Sequence, residues 1–187
     1  MNAYIEHIPG WMGDAELEYL HNMVAEAPED ALIVELGAWK GKSTAALYTA
    51  MYGNQSVVTI DSWLGQADLR FDAHREVLDQ DVFLEFMNHM EHLGVKPEWY
   101  RPDRAGAQYI RALTADALTL FPDHGIKRAF VDADHEAVGT DVDILMPKLA
   151  SDAILCGHDW NWGNVKEQLE SRVTIVEVVG DLWVADI

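Results

Sequence analysis

The sequence predicts an α/β fold, a three-layer sandwich in which helices cover both faces of a mostly parallel sheet. Two observations carry this. Short apolar runs rich in Val, Ile and Leu alternate with segments of helical period along the 187 residues, the pattern of repeated strand–helix units. The runs end at or near polar residues, Glu35, Asp61, Asp116, Asp132 and His158-Asp159. An open sheet of this kind gathers its functional groups beyond the carboxyl ends of its strands.

The elements follow in order. Residues 14–27 form a helix, with Asp14 as N-cap and Leu17, Leu20 and Val24 at helical spacing. Residues 31–36 are the first buried strand, 43–51 a helix, and 57–60 a second strand ending at Asp61. Residues 64–79 are polar and acid-rich and show no assignable period. Residues 82–93 are a helix closed by Gly94. Residues 96–106 hold two prolines and read as a loop. Strands at 109–113 and 128–131 follow, then a helix at 138–146 that Pro147 ends or kinks. A fifth strand, 153–156, precedes a helix at 165–171. Strands 173–179 and 182–185 flank Gly180-Asp181, a two-residue hairpin signal. Five strand–helix units and one hairpin thus make seven strands.

At this length the chain is expected to be one domain, 1–187, large enough for a full core. Hydrophobic residues make up 49% and charged residues 24%, the balance of a globular chain. No apolar run approaches the roughly 20 residues needed to span a bilayer. No basic-then-apolar leader opens the chain, and the single Cys156 rules out an intramolecular disulfide framework; both predict a cytoplasmic protein. Cys156 lies inside a strand and is expected in the core. Thirteen basic residues against 32 acidic ones give a net charge of −19. That excludes a nucleic-acid partner, which needs clustered Lys and Arg, and a solvated acidic surface accounts for it.

The most specific stretch is Ile33-Val34-Glu35-Leu36-Gly37-Ala38-Trp39-Lys40-Gly41-Lys42-Ser43-Thr44. An apolar strand ends in an acid. A turn with two glycines follows, and a hydroxyl pair opens a helix. Gly37 and Gly41 let the backbone approach a nucleotide-like ligand, and the helix N-terminus offers free N–H groups. Glu35 just before the turn disfavours phosphate and favours a ligand with a positive end. Asp61 lies 20 residues beyond Gly41, where an acid can accept hydrogen bonds from ribose hydroxyls.

With these residues the chain resembles the class I S-adenosylmethionine-dependent methyltransferases, and is most similar to the small macrocin-type O-methyltransferase group. The carriers are Val34-Glu35-Leu36-Gly37 with Gly41 and Ser43, Thr59-Ile60-Asp61-Ser62-Trp63, Phe130-Val131-Asp132-Ala133-Asp134-His135, Asp141, Gly157-His158-Asp159-Trp160 and the terminal hairpin. The resemblance implies a Rossmann-like sandwich with a seven-stranded, mostly parallel sheet and one antiparallel C-terminal strand. It implies S-adenosylmethionine as cofactor, a hydroxylated small molecule as acceptor, and a homodimer. Specificity would sit in the N-terminal helical segment 1–30 and the variable region 64–107.

Residue by residue, Glu35 matches the acid near the ammonium of the methionine moiety. Gly37, Gly41 and Ser43 match the cofactor turn. Asp61 matches the ribose acid, with Ser62 after it and Trp63 over the adenine; Asp116 matches the group that meets the adenine amine. Asp132 is expected both at the cofactor and in the reaction centre. His135, three residues on, matches the proposed base, and histidine's ordinary pKa of about 6.5 suits that task. Asp132, His158 and Asp159 could share Mg²⁺ or another divalent metal, which would lower the pKa of an acceptor hydroxyl. Trp160 and Trp162 either stack on an acceptor ring or anchor a loop. The chain departs from the pattern in two places. The third glycine of the first loop is missing, with Trp39 and Lys40 in that turn. Ala150-Ser151-Asp152 replaces the usual proline–glycine–glycine turn.

Two other functions stay open at this point. One is a methyltransferase-like domain that binds a ligand without turnover. The other is a P-loop phosphotransferase, since Gly37 to Ser43 nearly spells that loop. Only three residues separate Gly37 from Gly41-Lys42-Ser43, where a P-loop has four.

Overall fold

The computed structural model describes residues 2–65 and 80–187; most of the unassigned 64–79 stretch therefore lies outside the described residues. A short 3-10 helix, Ala3–His7, opens the chain. Helix α1 (Asp14–Ala25) leads into strand β1 (Leu32–Leu36), helix α2 (Lys42–Ala50) and strand β2 (Ser56–Asp61). Helix α3 (Val82–His92), strands β3 (Glu98–Trp99) and β4 (Gly106–Arg111), and helix α4 (Thr114–Leu118) follow. Then come β5 (Ile126–Val131), α5 (Val138–Leu145), β6 (Leu149–Gly157), α6 (Val165–Glu170), β7 (Thr174–Val179) and β8 (Leu182–Asp186).

The sheet has eight strands in the order β3-β4-β2-β1-β5-β6-β8-β7. Its parallel pairs run from β3 to β6. Strand β8 runs antiparallel to both β6 and β7, so one strand alone is reversed. The expected α/β architecture is present, with β3 as an eighth strand at the edge. It lies in the 96–106 stretch read as a loop: two residues between prolines are too few to show a strand period, and they pair only because β4 lies alongside. The third strand starts at Gly106 rather than residue 109, its first half being hidden among small and polar residues.

Strand residues alternate between two cores, as the pleat requires. Ile33, Val57, Phe130 and Cys156 face α1, α2 and α3. Val34, Leu36, Val58, Ile60, Ala129, Val131 and Leu155 face α4, α5 and α6. Cys156 is fully buried as expected, its Sγ 3.6 Å from Met23 Sδ. Helix α5 stops at Leu145, and Pro147 sits in the 3-10 turn that follows. Asp14 is not the N-cap of α1. Gly13 holds that place, and its N–H donates to Glu16 Oε2 at 2.6 Å, the return half of a capping box in which the N-cap residue has no side chain to accept. Strand β7 forms an edge, with Val176 60% and Val178 43% exposed. Among the described residues no helix is long and apolar enough to cross a membrane.

Candidate active site

Strand pairing carries on past the strand ends and sets the site. The N–H of Gly37 donates to Ile60 O, that of Asp132 to Leu36 O, and that of His158 to Val131 O, at 2.8, 2.7 and 3.1 Å. The residues after β2, β1, β5 and β6 are thereby brought side by side. Gly37 has φ +87°, and a Cβ there would run into the Asp132 carbonyl and the Ala133 Cα. Only glycine lets the β1 and β5 ends lie this close.

On the β1–β2 side, acids hold the turn together. Glu35 is fully buried. Its Oε1 accepts from Ser43 Oγ at 2.6 Å, and its Oε2 accepts from Thr44 Oγ1 at 2.6 Å and Thr59 Oγ1 at 2.7 Å. Thr59 reaches it because Glu35 and Thr59 are register partners across β1 and β2. Burial raises the Glu35 carboxyl to about 7; the three hydroxyls pull it down, and the Asp61 charge pushes it up. Asp61 Oδ2 accepts from the N–H groups of Ala38 and Trp39 at 2.8 and 2.9 Å, and Oδ1 from Trp63 N–H at 2.6 Å.

The missing third glycine has a structural replacement. Trp39 takes a left-handed φ of 46° and stacks on Trp11 with ring centroids 4.6 Å apart. Its carbonyl accepts from Trp63 Nε1 at 2.9 Å. Lys40 Nζ lies 3.1 Å from Glu85 of α3. Gly41, with φ +91°, closes the turn against Phe86 and Met90.

Trp63 is only 4% exposed and packs on Phe83 and Phe86 with centroids 4.8 and 5.0 Å apart. That leaves little of its ring to cover an adenine. Ser62 Oγ accepts from Leu64 N–H at 3.2 Å. Asp116 lies exposed in the first turn of α4, two residues inside a helix that starts at Thr114.

On the β5–β6 side, charged groups pair with one another. Asp132, His135, His158 and Asp159 line one small cleft together with Val138 and Val165. Asp159, at a left-handed φ of 61°, sits between two histidines. Its Oδ2 is 2.8 Å from His135 Nε2, and its Oδ1 is 3.2 Å from His158 Nδ1. Trp162 packs against the His135 ring at 5.0 Å, and Lys166 covers Trp160 at 5.3 Å. Burial pushes the Asp132 carboxyl well above its ordinary range; His158 opposes this, while Asp159, Glu35 and Glu16 add to it. Burial depresses His158, but its hydrogen bond to Asp159 and the charges of Asp132, Asp159 and Glu16 outweigh that and raise it to about 9.

The donor set suits a divalent cation. Asp132, His158 and Asp159 each offer a ligand atom within 4.8 Å of the others, and two carboxylates with an imidazole match a hard-to-borderline ion. Two neighbours of this group are not legible from local sequence. Trp183 of β8 donates from Nε1 to His158 O at 3.0 Å, its ring flush against Gly157 where a Cβ would collide. Glu16 of α1, 6% exposed, has Oε1 3.4 Å from His158 Nε2. The one local hint is spacing, since Glu16 shares the inward stripe of Leu20 and Met23.

An open parallel sheet with one reversed strand, a glycine turn after β1 and acids at the ends of β2 and β5 define a class I methyltransferase. Residues 34–160 match the family model described as a methyltransferase domain. This is more than half of the chain, and the chain belongs to that family. No curated protein sequence matches it. Solved structures share the fold at low identity. The O-methyltransferase TomG from Streptomyces achromogenes, involved in tomaymycin synthesis and solved with S-adenosylmethionine, is 15% identical with a TM-score of 0.65, over 99% of this chain and 89% of that one. An O-methyltransferase from Bacillus cereus, in complex with S-adenosylhomocysteine, is 15% identical with a TM-score of 0.57, over 99% and 91%. The Podospora anserina methyltransferase PaMTH1, also bound to S-adenosylhomocysteine, is 14% identical with a TM-score of 0.58, over 98% and 92%.

Proposed function

We propose that this chain moves the methyl group of S-adenosylmethionine onto a hydroxyl of a small molecule, assisted by a divalent cation. The observation that most supports this is Asp159 set between His135 and His158, beside Asp132, in one cleft. When bound, S-adenosylmethionine supplies an electrophilic methyl on a sulfonium sulfur. A cation held by Asp132, His158 and Asp159 would lower the pKa of the acceptor hydroxyl.

The side chains have the remaining tasks. Asp159 orients His135 through Nε2, and His135 takes the acceptor's proton at Nδ1 as the oxygen–methyl bond forms and the sulfur–methyl bond breaks. The methionine end of the cofactor is assigned to the Gly37–Gly41 turn with Glu35, Ser43 and Asp132. The adenosine end is assigned to Asp61, Ser62 and Asp116, with the buried Trp63 supporting Asp61 through its N–H and the turn through Nε1. A carboxylate has about four lone-pair sites, and the turn's N–H groups take two on Oδ2 and one on Oδ1 of Asp61. The site left on Oδ1 suits one ribose hydroxyl rather than both. Glu35, sealed by three hydroxyls, serves by fixing the turn and the start of α2.

The test is calorimetric titration with S-adenosylmethionine, then transfer assays on phenolic and sugar hydroxyls with MgCl₂ or EDTA. The expected result is micromolar cofactor binding and transfer that EDTA suppresses. No cofactor binding overturns the proposal; transfer indifferent to EDTA removes the cation from it.

A further inference from the structure

We infer that Glu16 is a positioning residue for the reaction centre, reaching it from outside the matched segment 34–160. The inference rests on the reading of Asp132, His158 and Asp159 as a cation-binding group. The ring of His158 is 7% exposed and lies between two acids. Asp159 faces Nδ1 at 3.2 Å and Glu16 faces Nε2 at 3.4 Å. The second contact is an ion-pair distance without hydrogen-bond alignment, and Nε2 is buried with no hydrogen-bond partner among the described residues. A histidine that binds a metal through one nitrogen is ordinarily held by a carboxylate at the other, which fixes the proton and the ring plane. Glu16 stands where that carboxylate belongs.

Glu16 is itself held rigidly. Oε2 accepts from Gly13 N–H at 2.6 Å, and Oε1 accepts from Asp181 N–H at 2.6 Å. Gly180, with φ +64°, leaves the space its carboxylate occupies, since a Cβ there would lie 2.6 Å from Oε1. One carboxylate therefore ties the start of α1, the β7–β8 turn and the His158 ring together. The same turn supports the residue after the rim, for Asp181 O accepts from Trp160 N–H at 3.0 Å. Glu16 keeps the proton on Nε2 and turns Nδ1 toward Asp159 and the cation position.

The test compares the wild type with Glu16→Gln, which keeps the side chain's size and one of the two acceptor oxygens and removes the charge. Titration with MnCl₂ reads cation affinity, and histidine ring ¹⁵N spectra of the metal-free chain read the state of each ring nitrogen of His158. The expected result is Mn²⁺ affinity weakened about 10–100-fold, with the Nε2 resonance of His158 shifted in the variant and the other histidines unchanged. If the wild type binds no Mn²⁺ but the His158 signature follows Glu16, the cation reading fails and the positioning role stands. Equal Mn²⁺ affinity with an unchanged signature overturns the inference. Should Glu16→Gln not fold, a wild-type spectrum with a bare Nε2 overturns it alone.

Discussion

The two halves of the rim use acids in opposite ways. At the β1–β2 end, Glu35 and Asp61 have neutral partners, three hydroxyls and three backbone N–H groups. Their hydrogen bonds are spent on the turn's own shape. At the β5–β6 end, Asp159 has titratable partners, His135 and His158, which share its carboxylate, and Asp132 lines the same cleft. A group bonded to backbone and hydroxyls holds a conformation. A group bonded to another ionisable side chain can pass a proton on. Under the proposed function, the difference separates a scaffold that cradles the cofactor from a centre that does chemistry, although both lie on one sheet edge.

The contrast can be broken experimentally, beginning with the largest effect. Replacing His135 by Ala should lower methyl transfer about 10²–10⁴-fold, the range for loss of a general base, and leave S-adenosylmethionine affinity nearly unchanged in calorimetry. An equal loss of cofactor binding would erase the division of labour. Gly37→Ala acts on the other half and should cost about 3 kcal/mol or more of stability by denaturant unfolding. It forces a left-handed residue to carry a Cβ into the Asp132 carbonyl.

Glu35 gives a pH signature. Its carboxyl titrates at about 7 in the fold against an ordinary 4.5. A raised pKa means that its stabilising contribution is complete below about pH 4.5 and is lost as pH rises through about 7. Measured against Glu35→Gln, the wild type should lose about 3 kcal/mol of stability across that window. A flat difference would show that its charge is compensated in the fold. The smallest effect sharpens the comparison. Asp61→Asn should weaken S-adenosylmethionine binding about tenfold, the loss of one charged hydrogen bond at roughly 1.5 kcal/mol, with little change in turnover at saturating cofactor.

Much of this contrast is written locally. Strand ends are legible because apolar runs stop abruptly at acids, and Gly37 and Gly41 are legible because their turn tolerates little else. The partners of those acids are less so. Thr59 meets Glu35 only through the strand register, and a register cannot be read from either strand alone. Glu16 and Trp183 come from α1 and β8, elements at opposite ends of the chain, and reach His158 through tertiary packing. Trp63 reads as an adenine cover only through the family resemblance; a tryptophan after a strand is more often a core edge. It is buried because α3 brings Phe83 and Phe86 against it. Strand β3 escapes notice because two residues have no period to detect.

The open edge at β7 bears on handling the protein in solution. Val176 and Val178 sit on a strand whose outer side pairs with no strand among the described residues, and nothing in that strand after Thr174 but Glu177 interrupts the apolar run. Such edges invite chain-to-chain pairing, and proteins usually blunt them with lysine, proline or a covering loop. Here the counterweight is colloidal: a net charge of −19 makes copies repel one another at long range. That protection fades toward the isoelectric point near 4.5 and in concentrated salt, where the Debye length shrinks to about 3 Å at 1 M. Acidification that stabilises Glu35 from within therefore removes the repulsion that keeps the chain dispersed.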